Sequence, residues 1–503
     1  MVHRKDLRTL VDDFSFVLAP GDRVVLVGEE GNGKSTLLKW IYDPALVASY
    51  VEAEGTRSTQ GETLGYLPQE LPAADKGKTV YEFFSARESF ADTTPRTLAS
   101  LTRQLGLAED VWYASQRMGT LSGGEKVKLQ MAALLLAEPD ILLLDEPSND
   151  VDAETLSWLE ALINRHRGGV LFISHDETLI ENTANRIILL EQLRRKTESR
   201  CTVANVPFRR FMAERAAGFQ KQAQEAGNER RKEKKAMEKF RRIQQSVECA
   251  QENVSRQDPS TGRLLKKKMA SVKAMEKRYA REYESMTEYP TYEQPILARF
   301  HTERRMPAGK TVLRCSLPEL RFGERVLARN VELTLRGAEK VCIVGKNGAG
   351  KTTLLRALVK ELLERDDVHA CYMPQDYAEA LDPGVLPLDF LVPSGSVDER
   401  KTARTYLASL RYTAEETSHP VQALSGGQKA KLFLLKMCLA DTDVLILDEP
   451  TRNFSPLSGS EIRALLRGFP GAILSVSHDR KFIAEVCDKV YRLDENGLTP
   501  VFL

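Results

Sequence analysis

A phosphate-binding loop of the form G-x-x-x-x-G-K-[ST] occurs twice in this chain, as GEEGNGKS from Gly28 to Ser35 and as GKNGAGKT from Gly345 to Thr352. Glycines let backbone N–H groups wrap around a phosphate, and the helix that follows points its positive N-terminus at the same anion. Two complete copies predict two nucleotide-binding α/β domains. The residues expected to contact nucleotide in these loops are Gly28, Glu29, Glu30, Gly31, Asn32, Gly33, Lys34, Ser35 and Thr36, and Gly345, Lys346, Asn347, Gly348, Ala349, Gly350, Lys351, Thr352 and Thr353.

The same motifs follow each loop in the same order, which identifies an internal repeat. The first copy has YLPQ ending at Gln69, then LSGGE, ILLLDEP and FISHD; the second has YMPQ ending at Gln375, then LSGGQ, VLILDEP and SVSHD. The LSGG serine, the DEP aspartate and the final histidine recur at a constant separation of 303 residues. The first copy carries 11 additional residues before its glutamine, which we expect to form an exposed arm around Ser49 to Gly61.

Phosphoryl transfer to water needs neutralised phosphate oxygens, a positioned metal ion and an oriented water molecule. The loop lysines supply positive charge, and acidic residues at the ends of the two apolar DEP strands suit a metal and a general base. The expected Mg²⁺ ligands are Ser35, Thr352, Asp145, Asp448, Gln69 and Gln375. The expected catalytic residues are the general bases Glu146 and Glu449, the glutamines Gln69 and Gln375 bridging metal and water, and His175 and His478 reaching the γ-phosphate.

This set of motifs resembles the ATP-binding cassette over most of the chain. Two cassettes in tandem with a long charged linker resemble the ABC-F family, whose members are cytosolic ATPases that act on the ribosome. The resemblance implies an α/β fold of two tandem ATP-binding cassette (P-loop NTPase) domains joined by an antiparallel α-helical hairpin. We expect the first cassette with its arm in residues 1–200, the hairpin in 201–295 and the second cassette in 296–503.

The resemblance also gives a role to the two LSGG segments, each of which lies far in sequence from its own phosphate loop. Each segment is expected to close over the nucleotide that the other cassette holds. We therefore expect Ser122, Gly123 and Gly124 to face the Lys351 site, and Ser425, Gly426 and Gly427 to face the Lys34 site.

The linker has the sequence pattern of two helices. Apolar residues recur at steps of three and four from Phe240 to Val254 and from Leu265 to Met286. The intervening SRQDPSTGR, Ser255 to Arg263, predicts a turn, and Pro290 predicts the end of the second helix. Although the whole chain has a net charge of +1, the segment from Arg209 to Glu288 has 21 lysines and arginines against 12 aspartates and glutamates.

The positive charge of the linker concentrates near the predicted turn and along the first helix. These cations are Arg256, Arg263, Lys266, Lys267 and Lys268, and Arg230, Arg231, Lys232, Lys234 and Lys235. Clustered cations bind phosphate backbones by releasing counterions, and the scarcity of aromatics at the turn favours structured RNA over single strands. The alternative is that these charges only solvate an exposed helical pair.

The family resemblance implies an ATPase with ATP and Mg²⁺ as cofactors. Its expected partner is the ribosome. The segment from Arg256 to Lys268 is expected to contact ribosomal RNA, with P-site tRNA as a second candidate, near the tRNA exit site and the peptidyl-transferase centre. Both a translation factor and an antibiotic-resistance ribosome protection protein fit. A DNA-processing or DNA-structure-binding cassette ATPase is an alternative, because basic helices also bind DNA, and the ATPase subunit of a transporter is another.

Location is indicated by composition. No apolar run approaches the roughly 20 residues of a membrane helix, and no signal-peptide pattern opens the chain. Seven cysteines without a C-x-x-C pair indicate reduced thiols rather than disulfides or a zinc site. We expect a cytoplasmic monomer whose cassettes pair within one chain.

Two positions break the repeat and predict that the two ATP sites differ. Ser455 stands in the second copy where the first has Asp152, in a segment expected to cross toward the opposite site. Phe322 is placed to stack on adenine in the second copy, whereas Lys5 is its counterpart in the first. The family pattern also suggests a start that is short by several residues and no C-terminal extension.

Overall fold

The structure is a computed structural model that describes residues 1–193, 198–252, 259–282, 299–300, 306–410 and 412–501. It divides into two compact units: Met1–Phe208 with Glu293–Leu503, which contains both cassettes, and Arg209–Tyr292, which contains the linker helices. Within the described parts of the chain, no helix is both long and apolar enough to cross a membrane.

The first cassette is built on a six-stranded sheet. Its strands, with the short pair β1 and β3, are β1 (Val2–His3), β2 (Arg23–Gly28), β3 (Val51–Glu52), β4 (Leu64–Leu67), β5 (Ile141–Asp145), β6 (Gly169–Ile173), β7 (Arg186–Leu193) and β8 (Glu198–Ala204). Its helices are α1 (Lys34–Tyr42), α2 (Ala73–Lys76), α3 (Val80–Ser85), α4 (Glu88–Ala91), α5 (Pro95–Leu105), α6 (Gly123–Leu135), α7 (Ala153–Arg165) and α8 (Glu177–Thr183).

The order of strands in this sheet is β4-β5-β6-β2-β7-β8, and all neighbours are parallel except the antiparallel pair β7–β8. Strands β2, β5 and β6 are apolar and almost wholly buried, as expected for parallel strands covered on both faces. The first phosphate loop follows β2 and the first Asp-Glu pair lies at the end of β5, so both lie at the same edge of the sheet.

The linker forms two helices, α9 (Phe208–Glu252) and α10 (Pro259–Glu282). They pack on each other through a small apolar cluster in which Phe240, Val247 and Val272 are buried, with Ile243, Met269 and Met275 packed against it. The predicted turn was too long, because residues 259–263 are helical. Pro259 therefore lies within helix α10 and not in a turn.

Several linker residues named above lie outside the described residues, including Val254, Ser255, Arg256, Met286 and Pro290. The first sheet extends past residue 200, the predicted end of the first cassette. Strand β8 pairs with β7 up to Ala204, because its backbone completes the edge of the first sheet, and the linker unit begins only at Arg209.

The second cassette repeats the architecture of the first. Its strands are β9 (Thr311–Phe322), β10 (Arg325–Arg336), β11 (Lys340–Val344), β12 (Ala370–Met373), β13 (Val444–Asp448), β14 (Ala472–Val476), β15 (Lys489–Asp494) and β16 (Gly497–Val501). Its helices are α11 (Lys351–Leu363), α12 (Pro387–Leu391), α13 (Val397–Ser409), α14 (Ala414–Ser418), α15 (Gly426–Leu439), α16 (Gly459–Arg467) and α17 (Arg480–Val486).

The second six-stranded sheet has the order β12-β13-β14-β11-β15-β16, which matches the first strand for strand, and β9 and β10 form a separate antiparallel pair. The predicted arm in the first cassette is only partly exposed. Val51 is buried because β3 pairs with β1, whereas residues 54–58 are exposed.

Candidate functional site

The two phosphate loops have the same local geometry. In each, the lysine at the start of the following helix folds back on its own loop: Lys34 Nζ donates to the carbonyls of Gly28 (2.8 Å) and Glu29 (3.1 Å), and Lys351 Nζ donates to those of Gly345 (2.8 Å) and Lys346 (2.9 Å). Both loops are therefore shaped around a lysine ammonium group that can turn to an incoming phosphate.

Glycine is required at the residue before each lysine. Gly33 has φ of +88° and Gly350 has φ of +94°, the left-handed conformation that glycine adopts without strain. A Cβ on Gly33 would lie 3.1 Å from the Leu10 side chain, and one on Gly350 would lie 2.8 Å from Leu327. Leu10 and Leu327 occupy matching repeat positions, so this contact supports the alignment that sets Lys5 opposite Phe322.

A cavity of about 950 Å³ lies over the second phosphate loop. It is lined by residues of both cassettes, which brings the first LSGG segment opposite the second loop. The predicted residues that line it are Ser122, Gly123, His175, Phe322, Asn347, Gly348, Gly350, Lys351, Thr352, Thr353, Gln375, Asp448, Glu449 and His478. Gly124 is buried beside Thr155. Phe322 is 67% exposed, so its ring is open to a planar ligand.

The first phosphate loop faces the second LSGG segment. Glu30 accepts hydrogen bonds from Ser425 Oγ (3.1 Å) and from the backbone N–H of Gly427. Gly426 lies beside the same carboxylate, since a Cβ there would be 3.5 Å from it. Asn32 ties the loop to β7 through a 3.0 Å hydrogen bond to the Leu190 carbonyl.

The segments after the two Asp-Glu pairs cross the interface. His175 Nδ1 lies 2.7 Å from the carbonyl oxygen of Phe454, so the residue before Ser455 contacts the first site. Ser455 is buried, and its hydroxyl accepts from the backbone N–H of Leu457. Asp152 lies close enough to His478 in the second site to affect its pKa. Both segments thus reach the opposite site, and they differ in that the first carries Asp152 where the second carries Ser455.

The buried aspartates at the strand ends fit a Mg²⁺ ion. Burial raises the pKa of Asp145 to about 6, although a 2.8 Å hydrogen bond from Ser35 Oγ opposes this rise. Burial also raises the pKa of Asp448, and the nearby Thr352 hydroxyl opposes this rise. A buried carboxylate that lacks a cation is the environment that a metal ion stabilises.

The other ligands of each Mg²⁺ ion must come from groups outside such side-chain clusters. Among the described residues, no cluster of three or more acidic, histidine or cysteine side chains could hold a metal. Mg²⁺ commonly binds one or two protein oxygens together with substrate phosphates and water. Gln375 lines the second cavity, whereas Gln69 is exposed beyond the end of β4. One ion would be held by Ser35 and Asp145 in the first site, and another by Thr352 and Asp448 in the second. Each ion would supply positive charge to the phosphates.

Each predicted general base has a strained backbone at the same repeat position. Glu146 has φ of +51° and Glu449 has φ of +52°, which is uncommon for a residue other than glycine. Their backbone N–H groups bond to the carbonyls of Ile173 (3.1 Å) and Val476 (2.9 Å). These bonds hold each carboxylate one residue past its aspartate, at the edge where the phosphate loop lies.

The two glutamate–histidine pairs differ. His175 Nε2 is 2.9 Å from Glu146 Oε1, whereas His478 Nε2 is 3.9 Å from Glu449 Oε1. Burial lowers the pKa of His175, but the Glu146 carboxylate outweighs it and the pKa rises. Burial lowers the pKa of His478 to about 4 and raises that of Glu449 to about 8. The Glu146 carboxylate thus favours the charged form of His175, whereas burial opposes the charged form of both groups in the second pair.

Two tyrosines belong to these sites and were not among the predicted residues. Tyr66 OH donates to Asp145 Oδ2 (3.3 Å). Tyr372 lies near Asp448: burial raises the pKa of Tyr372 to about 12, and the charge of Asp448 adds to this rise. Both belong to the repeated motifs YLPQ and YMPQ, in which only the glutamines were predicted to act. The recurrence of tyrosine at matching positions was the signal that could have found them.

A second contact between the cassettes lies outside both phosphate loops. Glu177 in α8 accepts from Arg463 Nη1 in α16 (2.7 Å) and from Lys481 Nζ in α17 (2.9 Å), and Lys481 also pairs with Glu181 (2.6 Å). The Arg463 side chain is only 4% exposed. This ionic contact joins the cassettes without using any residue that is predicted to touch nucleotide.

The profile of the ABC transporter family matches this chain at residues 11–149 and 328–452, once in each cassette. The chain is 28% identical to putative ATP-binding protein YdiF of Bacillus subtilis, over 97% of this chain and 78% of that protein. It is 27% identical to ribosome protection protein VmlR of Bacillus subtilis, over 95% of this chain and 83% of that protein.

Solved structures with the same fold include an archaeal ribosome recycling factor in complex with an archaeal ribosomal stalk protein. That structure has a TM-score of 0.58 and 18% identity, and the match covers 96% of this chain and 86% of the other. A structure of RNase-L inhibitor has a TM-score of 0.57 and 18% identity, with 97% and 87% covered. These likenesses show a twin-cassette fold.

Proposed function

Because the chain belongs to the ABC transporter family of ATP-binding cassettes, as a twin-cassette member of the ABC-F type, we propose that it hydrolyses ATP and acts on the ribosome through its linker helices. The ATP would bind between the cassettes, where each phosphate loop faces the LSGG segment of the other. Closure around ATP and opening after hydrolysis would then change what the linker contacts, because the γ-phosphate bridges the two halves only before hydrolysis.

The observation that carries the ribosome assignment is the group of exposed cations at the start of α10. Arg263, Lys266, Lys267 and Lys268 are all exposed and lie within one and a half helical turns. Four cations so close together repel one another, and an RNA backbone relieves that repulsion while releasing its own counterions. We propose that they bind ribosomal RNA, or P-site tRNA, near the tRNA exit site and the peptidyl-transferase centre.

The name of one relative supports this proposal. The relative VmlR is named a ribosome protection protein, and it aligns over nearly the whole of this chain. We propose a cytoplasmic protein that acts on translating ribosomes, with antibiotic resistance as one form that this action takes.

The roles at the two ATP sites are part of the proposal. Glu146 and Glu449 would orient and deprotonate the attacking water, while Lys34 and Lys351 would neutralise the terminal phosphates. The paired histidines lie at the carboxylates they would orient. Phe322 would stack on the adenine of the second site, and the exposed Lys5 would leave the first site without that contact.

The test replaces Arg263, Lys266, Lys267 and Lys268 by alanine and measures cosedimentation with ribosomes across a salt series. Binding should weaken at every salt concentration, and the slope of log K against log salt should fall by about one for each side chain that no longer neutralises a phosphate. ATP hydrolysis without ribosomes should remain normal, because these residues belong to a different compact unit from the phosphate loops.

A matched control removes the same charge from the cassette surfaces. Arg96, Lys360, Lys401 and Arg404 are exposed, and their replacement by alanine should leave the salt slope unchanged. Equal slopes for the linker variant and the intact protein would remove the start of α10 from the binding surface. Binding to duplex DNA with the same reduction of the slope, and none to ribosomes, would instead establish a DNA-binding protein.

A further inference from the structure

The first phosphate loop carries acidic residues where the second does not. Glu29 and Glu30 stand at the repeat positions of Lys346 and Asn347. In an anion-binding loop, two carboxylates oppose the phosphate that the loop would hold. Their contacts show that both side chains point out of the loop and into the other cassette.

Glu30 occupies the start of helix α15. Its Oε2 accepts hydrogen bonds from Ser425 Oγ (3.1 Å) and from the backbone N–H of Gly427, which are donors at the N-terminus of a 14-residue helix. Such a terminus attracts anions. A Cβ on Gly427 would lie 2.2 Å from this carboxylate oxygen, so the glycine makes room for it. The carboxylate therefore binds the LSGG segment as a phosphate would.

Glu29 strengthens the same contact from a second side. It is only 6% exposed, and it accepts from Lys431 Nζ (2.9 Å) and Ser458 Oγ (3.1 Å), both in the second cassette. Lys431 lies on α15, one helical turn beyond the LSGG segment. Both acidic residues of the loop are thus paired across the interface.

The second loop makes no equivalent carboxylate contact among the described residues. Asn347 Nδ2 donates to the backbone carbonyl of Asp150 (2.6 Å), and the Lys346–Glu154 pair is at 3.4 Å with both side chains more than 70% exposed. Ser122 Oγ donates to Glu125, within its own segment, and Ser122 lines the 950 Å³ cavity. The first LSGG segment thus lines a cavity at the second site, whereas the second LSGG segment contacts a carboxylate at the first site.

We propose that Glu30 is a built-in anion that holds the first site closed without nucleotide and competes with the γ-phosphate of ATP for Ser425 and Gly427. To reach these donors, a γ-phosphate must displace a carboxylate of the same charge sign. ADP has no γ-phosphate and does not compete. The first site therefore discriminates weakly between ATP and ADP, whereas the second favours ATP. This inference rests on the proposed binding of ATP by these loops and is independent of the ribosome.

The experiment measures nucleotide binding at one site at a time. Lys351→Ala removes the phosphate contact of the second site, and titration calorimetry in this background compares ADP with a non-hydrolysable β,γ-imido analogue of ATP. Glu30→Asn, which copies the second loop, should tighten binding of the analogue by about tenfold, the equivalent of one charge-assisted hydrogen bond. Binding of ADP should change by less than about twofold, since it makes no contact with α15.

Two further variants separate charge from shape. Glu30→Gln keeps the length of the side chain and removes its charge, so it should shift the affinities in the same direction as Glu30→Asn. The reciprocal change Asn347→Glu, in a Lys34→Ala background, should weaken binding of the imido analogue at the second site by a similar factor and spare ADP.

The outcomes are distinct. An unchanged ratio of analogue to ADP affinity in both Glu30 variants, or equal shifts for the two nucleotides, would overturn the inference and leave ATP binding intact. Binding of the analogue only after Glu30 is replaced would support it in the strongest form. Failure of every protein, including the one with intact loops, to bind either nucleotide would overturn both this inference and the proposed function.

Discussion

Replacing both Glu146 and Glu449 by glutamine is expected to lower the rate of ATP hydrolysis by about 100-fold or more, the contribution that a positioned general base typically makes. Both carboxylates follow a buried aspartate at the end of a sheet strand, and both are held there by a left-handed backbone. Glutamine has the same shape as glutamate, but its amide cannot accept a proton from water. The phosphate loops are unchanged, so ATP affinity should stay within a few-fold of its original value.

The measurement is steady-state phosphate release, with ATP affinity measured separately on the same protein. Glu70→Gln is the matched control, because Glu70 directly follows Gln69 but its side chain is 83% exposed. The double variant should also stay longer on ribosomes, since a closed form that cannot hydrolyse ATP cannot open. Hydrolysis near the original rate would show that neither glutamate is the base.

The single variants test whether the two sites are equivalent. The Glu146–His175 contact is 2.9 Å and the Glu449–His478 contact is 3.9 Å. Within the described parts of the chain, only the first loop places a carboxylate, that of Glu30, at the start of the opposite LSGG helix. Glu146→Gln and Glu449→Gln should therefore reduce hydrolysis by clearly different factors. Equal reductions, measured with ribosomes present, would mean that these differences have no effect on turnover.

The repeat made much of the architecture predictable. Each motif has a fixed place in an α/β sheet: the phosphate loop follows one buried strand, and the Asp-Glu pair ends another. Because these motifs recur in order, the sequence predicted two α/β domains and placed the Asp-Glu pairs at the ends of strands. The crossing of Ser425 to the first loop followed from the family resemblance and not from any spacing.

Local signals were less reliable at the boundaries. The dipeptide Asp-Pro is typical of a turn, but Pro259 is part of a helix. Strand β8 is partly exposed, and its sequence pattern does not separate it from the linker, although its partner β7 is a core strand. Edge strands carry a weaker apolar pattern than central strands, so sequence alone places their ends poorly.

The contacts of Glu30 could not be predicted from the sequence. Glu30 and Ser425 are 395 residues apart, and nothing in either motif indicates that a carboxylate in the loop turns outward. The motif itself leaves this position open to any residue type. The role of an acidic residue there depends on which helix lies opposite, and that is set by the packing of one cassette on the other.

The ionic contact around Glu177 is expected to stabilise the pair of cassettes whether or not ATP is bound. Its three side chains are at least 80% buried, and burial alone would lower the pKa of Arg463, but its bonds to Glu177 and Glu485 raise it. Removing one partner from a buried ion pair costs about 3–5 kcal/mol, because the other charge stays buried. Since Arg463 keeps Glu485 and Lys481 keeps Glu181, we expect Glu177→Ala to cost about 3 kcal/mol.

The measurement is scanning calorimetry of the intact chain. Because a twin-cassette protein need not unfold in one step, the quantity to compare is the temperature of the first transition. A decrease of about 3 kcal/mol in the free energy of unfolding of a unit of 150–250 residues corresponds to a fall of roughly 6–12 °C. Glu485→Ala is the matched control: it removes a carboxylate from the same Arg463, but Glu485 is 49% exposed, so its removal should cost less than about 1 kcal/mol.

Gly459→Ala tests the same contact without removing a charge. A Cβ at this position would lie 1.9 Å from Glu177 Oε1, so the methyl group would push the carboxylate away from Arg463. The fall in transition temperature should resemble that of Glu177→Ala, and it should be the same with and without ATP, because no residue of the contact belongs to a phosphate loop. A fall seen only without ATP would mean that nucleotide alone holds the cassettes together, and equal effects of Glu177→Ala and Glu485→Ala would contradict the assignment of Glu177 as the buried partner.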